Sequence, residues 1–163
     1  MKEAMGGIFS IQTVLIFIVL VCGLLLFSVS YTRSFRVKNE LRIVIEKYEG
    51  LTEDSEDEIN KVMKKYNYSF NNYGRYEQIC ERAGYNAYVE DNGVFCYKCN
   101  LISESESDKY KGAYYTIATF VNVDIPLINK IFEYAASYLR IEGETALIYS
   151  SGNNSEICSN ARK

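Results

Sequence analysis

The pattern of hydrophobic positions divides the chain into an apolar N-terminal run and a longer part of mixed polarity. From Ala4 to Thr32 no residue is charged, and residues 8–29 are almost wholly apolar. A helix rises ~1.5 Å per residue, so about 20 residues cross the ~30 Å hydrocarbon core of a bilayer. Only a helix satisfies its own backbone polar groups there in a single segment. The pattern therefore predicts a transmembrane helix over residues 8–30.

Two other interpretations of the apolar run are a buried core helix and a cleaved signal peptide. The run is apolar on all faces, and a domain of this size could hardly cover it. It is also longer than the ~7–15 residues of a signal-peptide core, and no A-x-A-like cleavage site follows it. The run is therefore expected to remain as an anchor.

The helix is predicted to continue beyond the membrane. Val37, Leu41, Val44 or Ile45, and Tyr48 recur at helical spacing and form an apolar stripe. Residues 31–50 are therefore expected to be an amphipathic extension whose stripe packs on the following domain. One long helix over roughly residues 8–48 results.

Residues 51–163 are predicted to form one small domain that begins with two short helices. Ser55 and Glu58 have the spacing of a capping box, and apolar residues then recur at helical spacing, which predicts a helix over 55–66. A second short helix is expected over 75–83, and Gly84 is suited to end it.

The rest of the domain has the pattern of an antiparallel sheet. Asn92-Gly93 between two aromatic and β-branched runs predicts a hairpin of strands 87–89 and 94–99. The alternating segment 113–125 predicts a strand that Pro126 ends. A short amphipathic helix (127–138), a last strand (139–150) and a polar loop (103–111) complete the prediction. The fold class is therefore α+β, with a sheet of about four strands covered by helices.

Composition excludes several kinds of chemistry. The chain has 163 residues, a net charge of −3 and no histidine, so Ser-His-Asp and Cys-His catalytic sets cannot form. There is no glycine-rich phosphate loop and no basic excess that would favour nucleic acid. Acids such as Glu104 and Glu106 lie in a polar loop and are expected to be solvated. We therefore predict no enzymatic activity, no cofactor and no nucleic-acid partner.

The cysteines are the one constellation with possible chemistry. Cys22 lies in the apolar run, and Cys80, Cys96, Cys99 and Cys158 lie in the domain. Two disulfides, a four-thiolate zinc site and free thiols are all open from spacing alone. Residues three apart on a strand point to opposite faces, so Cys96 and Cys99 suit different disulfide partners better than one metal ion. Sequence does not choose among the three possible pairings.

Two signals disagree about the side of the membrane on which the domain lies. Basic residues follow the run at Arg33, Arg36, Lys38 and Arg42, against Lys2 before it, and the positive-inside rule then places the domain in the cytoplasm. Two disulfides would instead place the domain outside the cytoplasm. The extracytoplasmic side is favoured, with the anchor crossing the cell membrane once.

The start of the apolar run resembles the prepilin junction of type IV pilins and pseudopilins. The segment Gly6-Gly7-Ile8-Phe9-Ser10-Ile11-Gln12 is similar to the family's glycine-ended leader and the hydrophobic helix that follows directly. The layout is also similar to tight-adherence (TadE-like) pseudopilins, including Phe120–Pro126 and Ile141–Thr145 near the C-terminus. The resemblance implies a leader of residues 1–7, cleaved between Gly7 and Ile8 by a prepilin-type peptidase.

The resemblance also implies a structural function. In the family, the helix both anchors the subunit in lipid and packs with copies of itself, so the expected partners are membrane lipid, other pilin-like subunits and their assembly machinery. Gln12 stands where most pilins have an acid that pairs with a neighbouring subunit, and an amide can only hydrogen-bond. A minor pilin-like subunit of a surface filament or secretion apparatus is therefore expected, with Gln12 in a helix-packing position.

A membrane-anchored binding module is the alternative function. The chain has fifteen tyrosines, and tyrosine offers rigid contact area at low entropic cost. Tyr66, Tyr68, Tyr73 and Tyr76 could line such a binding surface on either side of the membrane. The same residues could equally belong to the core or to the sheet edge, and that interpretation is preferred.

Overall fold

The computed structural model describes residues 2–70, 72–103, 110–121, 139–149 and 158. Within them, three helices precede four strands. The helices are α1 (Lys2–Lys47), α2 (Glu53–Lys65) and α3 (Tyr73–Arg82). The strands are β1 (Asn86–Glu90), β2 (Gly93–Ser103), β3 (Tyr110–Phe120) and β4 (Arg140–Glu144). All neighbouring strands are antiparallel, in the order β1-β2-β3-β4. The predicted α+β class is confirmed.

Helices cover both faces of the sheet. On one face, Thr119 of β3 is hydrogen-bonded to α1, and Tyr88 of β1 donates to Asn60 of α2. On the other face, Cys96 of β2 is disulfide-bonded to Cys80 of α3. Because side chains alternate along a strand, these contacts define three layers: α1 and α2, the sheet, and α3.

Helix α1 is 46 residues long and so extends ~69 Å. Its C-terminal half carries a buried stripe at helical spacing: Ser34, Val37, Lys38, Leu41, Val44 and Ile45. The stripe contacts α2, β3 and β4. The predicted continuous helix with an amphipathic second half is confirmed, although α1 begins at Lys2 rather than near residue 8.

The core lies between α1, α2 and the sheet and continues to the α3 side. Its largest fully buried side chains include Leu41, Ile45, Ile59, Phe95 and Tyr115. Burying an aliphatic or aromatic side chain of this size contributes about 1.5–3 kcal/mol each. This core fixes the amphipathic half of α1 to the sheet.

The predicted cap of α2 is wrong by three residues. The helix begins at Glu53 with Thr52 as its N-cap, not at Ser55. Thr52 Oγ1 accepts from Ser55 N at 3.3 Å, and Ser55 Oγ accepts from Thr52 N at 2.7 Å. Ser55 therefore plays the part predicted for Glu58, because its short hydroxyl reaches the N-cap backbone from a buried position.

The β1–β2 hairpin is confirmed, but its turn lies one residue earlier than predicted. Glu90 pairs with Gly93, so Asp91 and Asn92 are the two turn residues. Both have positive φ, 47° and 65°, as a type I′ turn requires. Gly93 instead begins β2, where an added Cβ would lie 2.7 Å from Met63 Sδ and 3.1 Å from Tyr68 O. Packing, rather than turn conformation, therefore requires glycine there.

Other predicted elements are described in part. Strand β3 begins at Tyr110, three residues before the predicted start. β4 is Arg140–Glu144, and a single bridge pairs Ala113 with Ile148, within the predicted last strand. Residues 104–109, 122–138 and 150, and with them Glu104, Glu106, Pro126 and the helix predicted for 127–138, lie outside the described residues.

Candidate membrane-anchoring and assembly surfaces

The N-terminal half of α1 is an exposed apolar surface. Among the described residues, α1 is the one helix long and apolar enough to span a membrane, and none of its most apolar window is buried. Every side chain from Phe9 to Cys22 is exposed, including Phe9 at 74% and Val19 at 66%. Here residues 9–29 are called the apolar segment. A surface of this size on a water-soluble chain would be unusual, since monomers rarely expose large contiguous apolar patches.

The residues singled out by the prepilin resemblance all lie in α1. Gly7 and Ile8 are within the helix, which runs without interruption from Lys2. Gln12 is exposed on the apolar segment, and no hydrogen bond joins its amide to another described side chain. Thr13 Oγ1, by contrast, donates to Phe9 O at 2.9 Å within the helix. The Gln12 amide therefore lies on the outer surface of α1.

The domain rests on the end of the apolar segment. Phe27, which lies one helical turn before Tyr31, packs against Val121 and Ile141, and Leu139 lies beside them. Val121 directly follows β3, and Leu139 directly precedes β4. If residues 8–30 cross a bilayer, this contact brings the β3–β4 end of the sheet to the membrane surface.

A buried polar junction joins α1 to the sheet just above that contact. Ser34 Oγ donates to Phe120 O at 2.8 Å, and Thr119 Oγ1 donates to Ser34 O at 3.1 Å. Phe120 N donates to Tyr68 Oη at 2.7 Å, and Tyr68 Oη lies 3.3 Å from Phe120 O as a donor. All four residues are at most 3% exposed. Ser34, Tyr68, Thr119 and Phe120 are here called the junction.

The junction compensates for a strand pairing that stops. Val121 N donates to Leu139 O, so the alternation of an antiparallel ladder points the N–H and C=O of Phe120 away from β4. On the other side, the β2–β3 pairing ends at Cys96–Ala118. In place of backbone groups of β2, Tyr68 accepts from the N–H of Phe120, and Ser34 and Tyr68 donate to its C=O. Burial raises the pKa of the Tyr68 hydroxyl, which stays neutral and can serve as donor and acceptor at once.

Lys38 is a buried cation between α1 and β4. It is 9% exposed, and its Nζ lies 4.4 Å from the centroid of the Phe35 ring. Gly143 leaves room for it, because an added Cβ would lie 3.0 Å from Lys38 Cδ. Desolvation, and then the nearby Arg42 charge, lower the pKa of Lys38. No ion pair with an acid is present for Lys38 in the described part of the chain, so the aromatic ring is its electrostatic partner.

Two acids of the outer α1 surface, Glu40 and Glu46, are paired with basic residues. Glu40 accepts from Tyr66 Oη at 2.5 Å and from Lys65 Nζ at 2.9 Å. These hydrogen bonds, that of Tyr66 first, lower the pKa of Glu40. Glu46 pairs with Arg42 at 2.8 Å and also accepts from Ala146 N. These contacts link α1 to α2 and to the segment after β4.

The four domain cysteines form two disulfides. Cys80 is bonded to Cys96 and Cys99 to Cys158, with Cα–Cα distances of 5.3 and 5.8 Å. Cys96 and Cys99 point to opposite faces of β2, as predicted, which places Cys80 of α3 and Cys158 on opposite sides of the sheet. The disulfide prediction is confirmed, and the zinc alternative is wrong for these four residues. Cys22 is free and exposed on the apolar segment.

The tyrosines of the alternative function belong mainly to the core. Tyr68 and Tyr76 are buried, and Tyr76 packs against Phe70 and Phe120. Tyr66 is half-buried and bonded to Glu40, whereas Tyr73 is 43% exposed. The preferred interpretation, core rather than binding loop, is confirmed for Tyr68 and Tyr76.

Sequence reasoning missed the junction and the buried Lys38. Ser34 lies in line with the Val37–Leu41 stripe, and that position is a signal that its hydroxyl is buried. Its partners on β3, Phe120 and Thr119, are 86 and 85 residues distant in sequence, and no local pattern identifies them. Comparison with family models, with curated proteins and with solved structures found no match to this chain.

Proposed function

We propose that the protein is a minor pilin-like structural subunit, nearest to TadE-like pseudopilins, of a surface filament or secretion apparatus. Its apolar segment anchors it in the cell membrane, and its domain lies outside the cytoplasm. The observation that carries the proposal is the division of α1. One half exposes apolar side chains on every face, and the other half is built into a small antiparallel sheet domain.

The rigid connection between these halves supports a structural role. An anchor that only tethers a domain needs no fixed geometry, and a flexible linker would be enough. Here α1 runs unbroken from the apolar segment into the core, and the buried junction fixes its rotation relative to the sheet. A subunit that packs through its helix would need such a fixed orientation to present its domain in one register.

Gln12 supports lateral packing over simple anchoring. An amide in lipid without a partner loses its hydrogen bonds, and such residues commonly bond across helix–helix contacts. In the proposed function, Gln12 bonds to a neighbouring subunit's helix. The neutral side chain gives a weaker contact than an ion pair, which fits a minor subunit.

The disulfides support the extracytoplasmic side. Such bonds persist in oxidising compartments and are rare in the cytosol. The basic residues after the apolar segment favour the opposite side by the positive-inside rule, so the side is the part of the proposal that most needs measurement.

Leader processing in the native cell tests the proposal. The N-terminal residue of the membrane-extracted protein is determined for the wild type, for Gly7→Leu and for Gly23→Leu. Gly23 is a matched control, because it is a glycine of the same helix with open space around its Cβ position. We expect Ile8 as the N-terminus of the wild type and of Gly23→Leu, and an uncleaved chain for Gly7→Leu. An uncleaved wild-type chain would contradict the proposal and favour the anchored binding module.

A further inference from the structure

A basic groove lies where the apolar segment ends. Ser28, Val29, Thr32, Arg33, Arg36 and Tyr66 line it, and its volume is about 330 Å³. This volume falls within the ~300–1,000 Å³ typical of small-ligand sites. These six residues are called the interfacial groove. Two arginines and three residues with hydroxyl groups line this space, and none of the described lining residues is acidic.

The two arginines of the groove, Arg33 and Arg36, contrast with Arg42 and Arg140, which are each paired with an acid. Arg42 pairs with Glu46 at 2.8 Å, and Arg140 pairs with Glu142 at 2.6 Å. Neither Arg33 nor Arg36 forms an ion pair with an acid among the described residues. A guanidinium fork matches a phosphate or carboxylate through two parallel hydrogen bonds, so both arginines have the chemistry to bind an anionic ligand.

The structure also explains why Arg36 has no acidic partner within the described part of the chain. Glu40 is four residues after Arg36 on α1, the spacing at which helix ion pairs form. Instead, Tyr66 Oη and Lys65 Nζ from the end of α2 hold the Glu40 carboxylate at 2.5 and 2.9 Å. Tyr66 itself lines the groove. The Tyr66 side chain therefore both occupies the Glu40 carboxylate, which could otherwise pair with Arg36, and forms part of the groove wall.

The position of the groove relative to the apolar segment favours a membrane lipid as its ligand. It begins at Ser28 and Val29, the last residues of the apolar segment, and extends about 8 residues, or ~12 Å, along α1. If residues 8–30 cross the bilayer, the groove therefore starts at the edge of the hydrocarbon core, where lipid headgroups lie. Thr32 Oγ1 donates its proton to Ser28 O at 2.8 Å within the helix, so the two arginines are the charged donors of the groove. A ligand here would have its phosphate beside the arginines and its acyl chains along Val29.

We propose that the interfacial groove binds the phosphate headgroup of an anionic membrane phospholipid. The lipid supplies the counter-charge that Glu40 does not give to Arg36. The site orients α1 at the membrane surface and serves the leaflet on whichever side the domain lies. It therefore stands independently of the proposed function.

Lipid retention by the full-length chain tests the groove. The protein is extracted in a mild non-ionic detergent and titrated with phosphatidylglycerol or phosphatidylcholine, and bound lipid is counted by native mass spectrometry. The variants are Arg33→Gln, Arg36→Gln, the double variant, and Arg42→Gln as the matched control. Near-ultraviolet circular dichroism checks that each variant keeps its folded domain.

We expect phosphatidylglycerol to bind more tightly than phosphatidylcholine. Each basic residue at a membrane surface contributes a roughly five-fold effect on anionic-lipid affinity. The double variant should therefore lose about 25-fold in phosphatidylglycerol affinity by the same estimate, and Arg42→Gln should lose little.

Three results would overturn the assignment. Equal retention of the two lipids would exclude headgroup selectivity. Equal losses in Arg42→Gln and the double variant would indicate diffuse surface charge rather than a groove. Glycerol phosphate that competes as tightly as the lipid would indicate a soluble phosphate site. None of these results bears on leader processing, so the two proposals can fail separately.

Discussion

The junction between α1 and the sheet leads to a prediction about two hydroxyl groups that touch the same residue. Tyr68→Phe removes the acceptor that lies 2.7 Å from Phe120 N, and among the described contacts this N–H then has no partner. Ser34→Ala removes a donor to Phe120 O, but Tyr68 Oη remains 3.3 Å from that carbonyl. The two variants therefore differ in whether a buried group loses every partner.

The expected magnitudes follow from that difference. A buried donor left without a partner costs ~1–3 kcal/mol, whereas the net contribution of one ordinary hydrogen bond is ~0.5–1.5 kcal/mol. Tyr68→Phe should therefore lower the free energy of unfolding of the domain by ~1–3 kcal/mol, and Ser34→Ala by about half as much. The Tyr68 ring still fills its place in the core, so no cavity contributes.

Denaturant unfolding of the full chain in detergent micelles measures the difference. Near-ultraviolet circular dichroism reports mainly on the packing of the domain, because Tyr31 is the only one of the fifteen tyrosines in the sequence of α1. Tyr88→Phe is the control, because the Tyr88 hydroxyl bonds mainly to the exposed Glu90 carboxylate at 2.7 Å and reaches Asn60 only at the long distance of 3.4 Å. Its loss should change stability by less than ~0.5 kcal/mol. A Ser34→Ala loss equal to or larger than that of Tyr68→Phe would refute the reasoning.

Three further predictions concern the domain. Replacing both cysteines of Cys80–Cys96 by serine should lower the free energy of unfolding by ~3 kcal/mol, and the same change at Cys99–Cys158 by ~4 kcal/mol, because in the chain-entropy model the closed loops of 16 and 59 residues set the loss. The same unfolding assay measures both variants. A larger loss for the shorter loop would contradict the model. Gly84→Ala should destabilise the domain by ~1 kcal/mol, because Gly84 has a φ of +76°. Gly74→Ala should instead stabilise it by ~0.5–1 kcal/mol, because Gly74 has open space at the start of α3. Stability changes of the same sign for the two variants in thermal unfolding would contradict this reasoning. Because the pKa of Glu40 is lower in the folded state than its ordinary value of 4.5, the Glu40 carboxylate stabilises the fold above pH 4.5, and this stability is lost as the pH falls through the folded-state pKa. Glu40→Gln should therefore flatten the acid limb of a stability–pH profile. An unchanged limb would show that the Tyr66 and Lys65 contacts contribute little.

Local patterns in the sequence were sufficient to predict the main elements. The uncharged run and the Val37–Leu41–Ile45 stripe defined both halves of α1, since each depends only on residues close in sequence. The β1–β2 hairpin was predicted for the same reason. Its turn was misplaced because Asn92-Gly93 is the commoner turn pair, whereas here Asp91 and Asn92 take the positive φ values.

Contacts between distant segments were beyond the sequence pattern. The opposite facing of Cys96 and Cys99 followed from strand alternation, but the pairing depended on α3 lying over β2, which no spacing predicts. The junction likewise joins α1, the loop after α2 and the end of β3. The interfacial groove depends on Tyr66 approaching Glu40 from α2, so the basic residues after the apolar segment could be recognised from sequence, but not their unpaired state.

The central claim is that a processed helix anchors an oxidised domain outside the cytoplasm, and one mass measurement tests it most directly. The native protein is extracted from membranes, denatured and alkylated with and without prior reduction, and its intact mass is determined. We expect a chain that lacks residues 1–7. Cys22 alone should be alkylated in the unreduced sample, and all five cysteines should be alkylated in the reduced sample. A full-length chain with every cysteine alkylated without reduction would contradict the claim and place the domain in the cytoplasm.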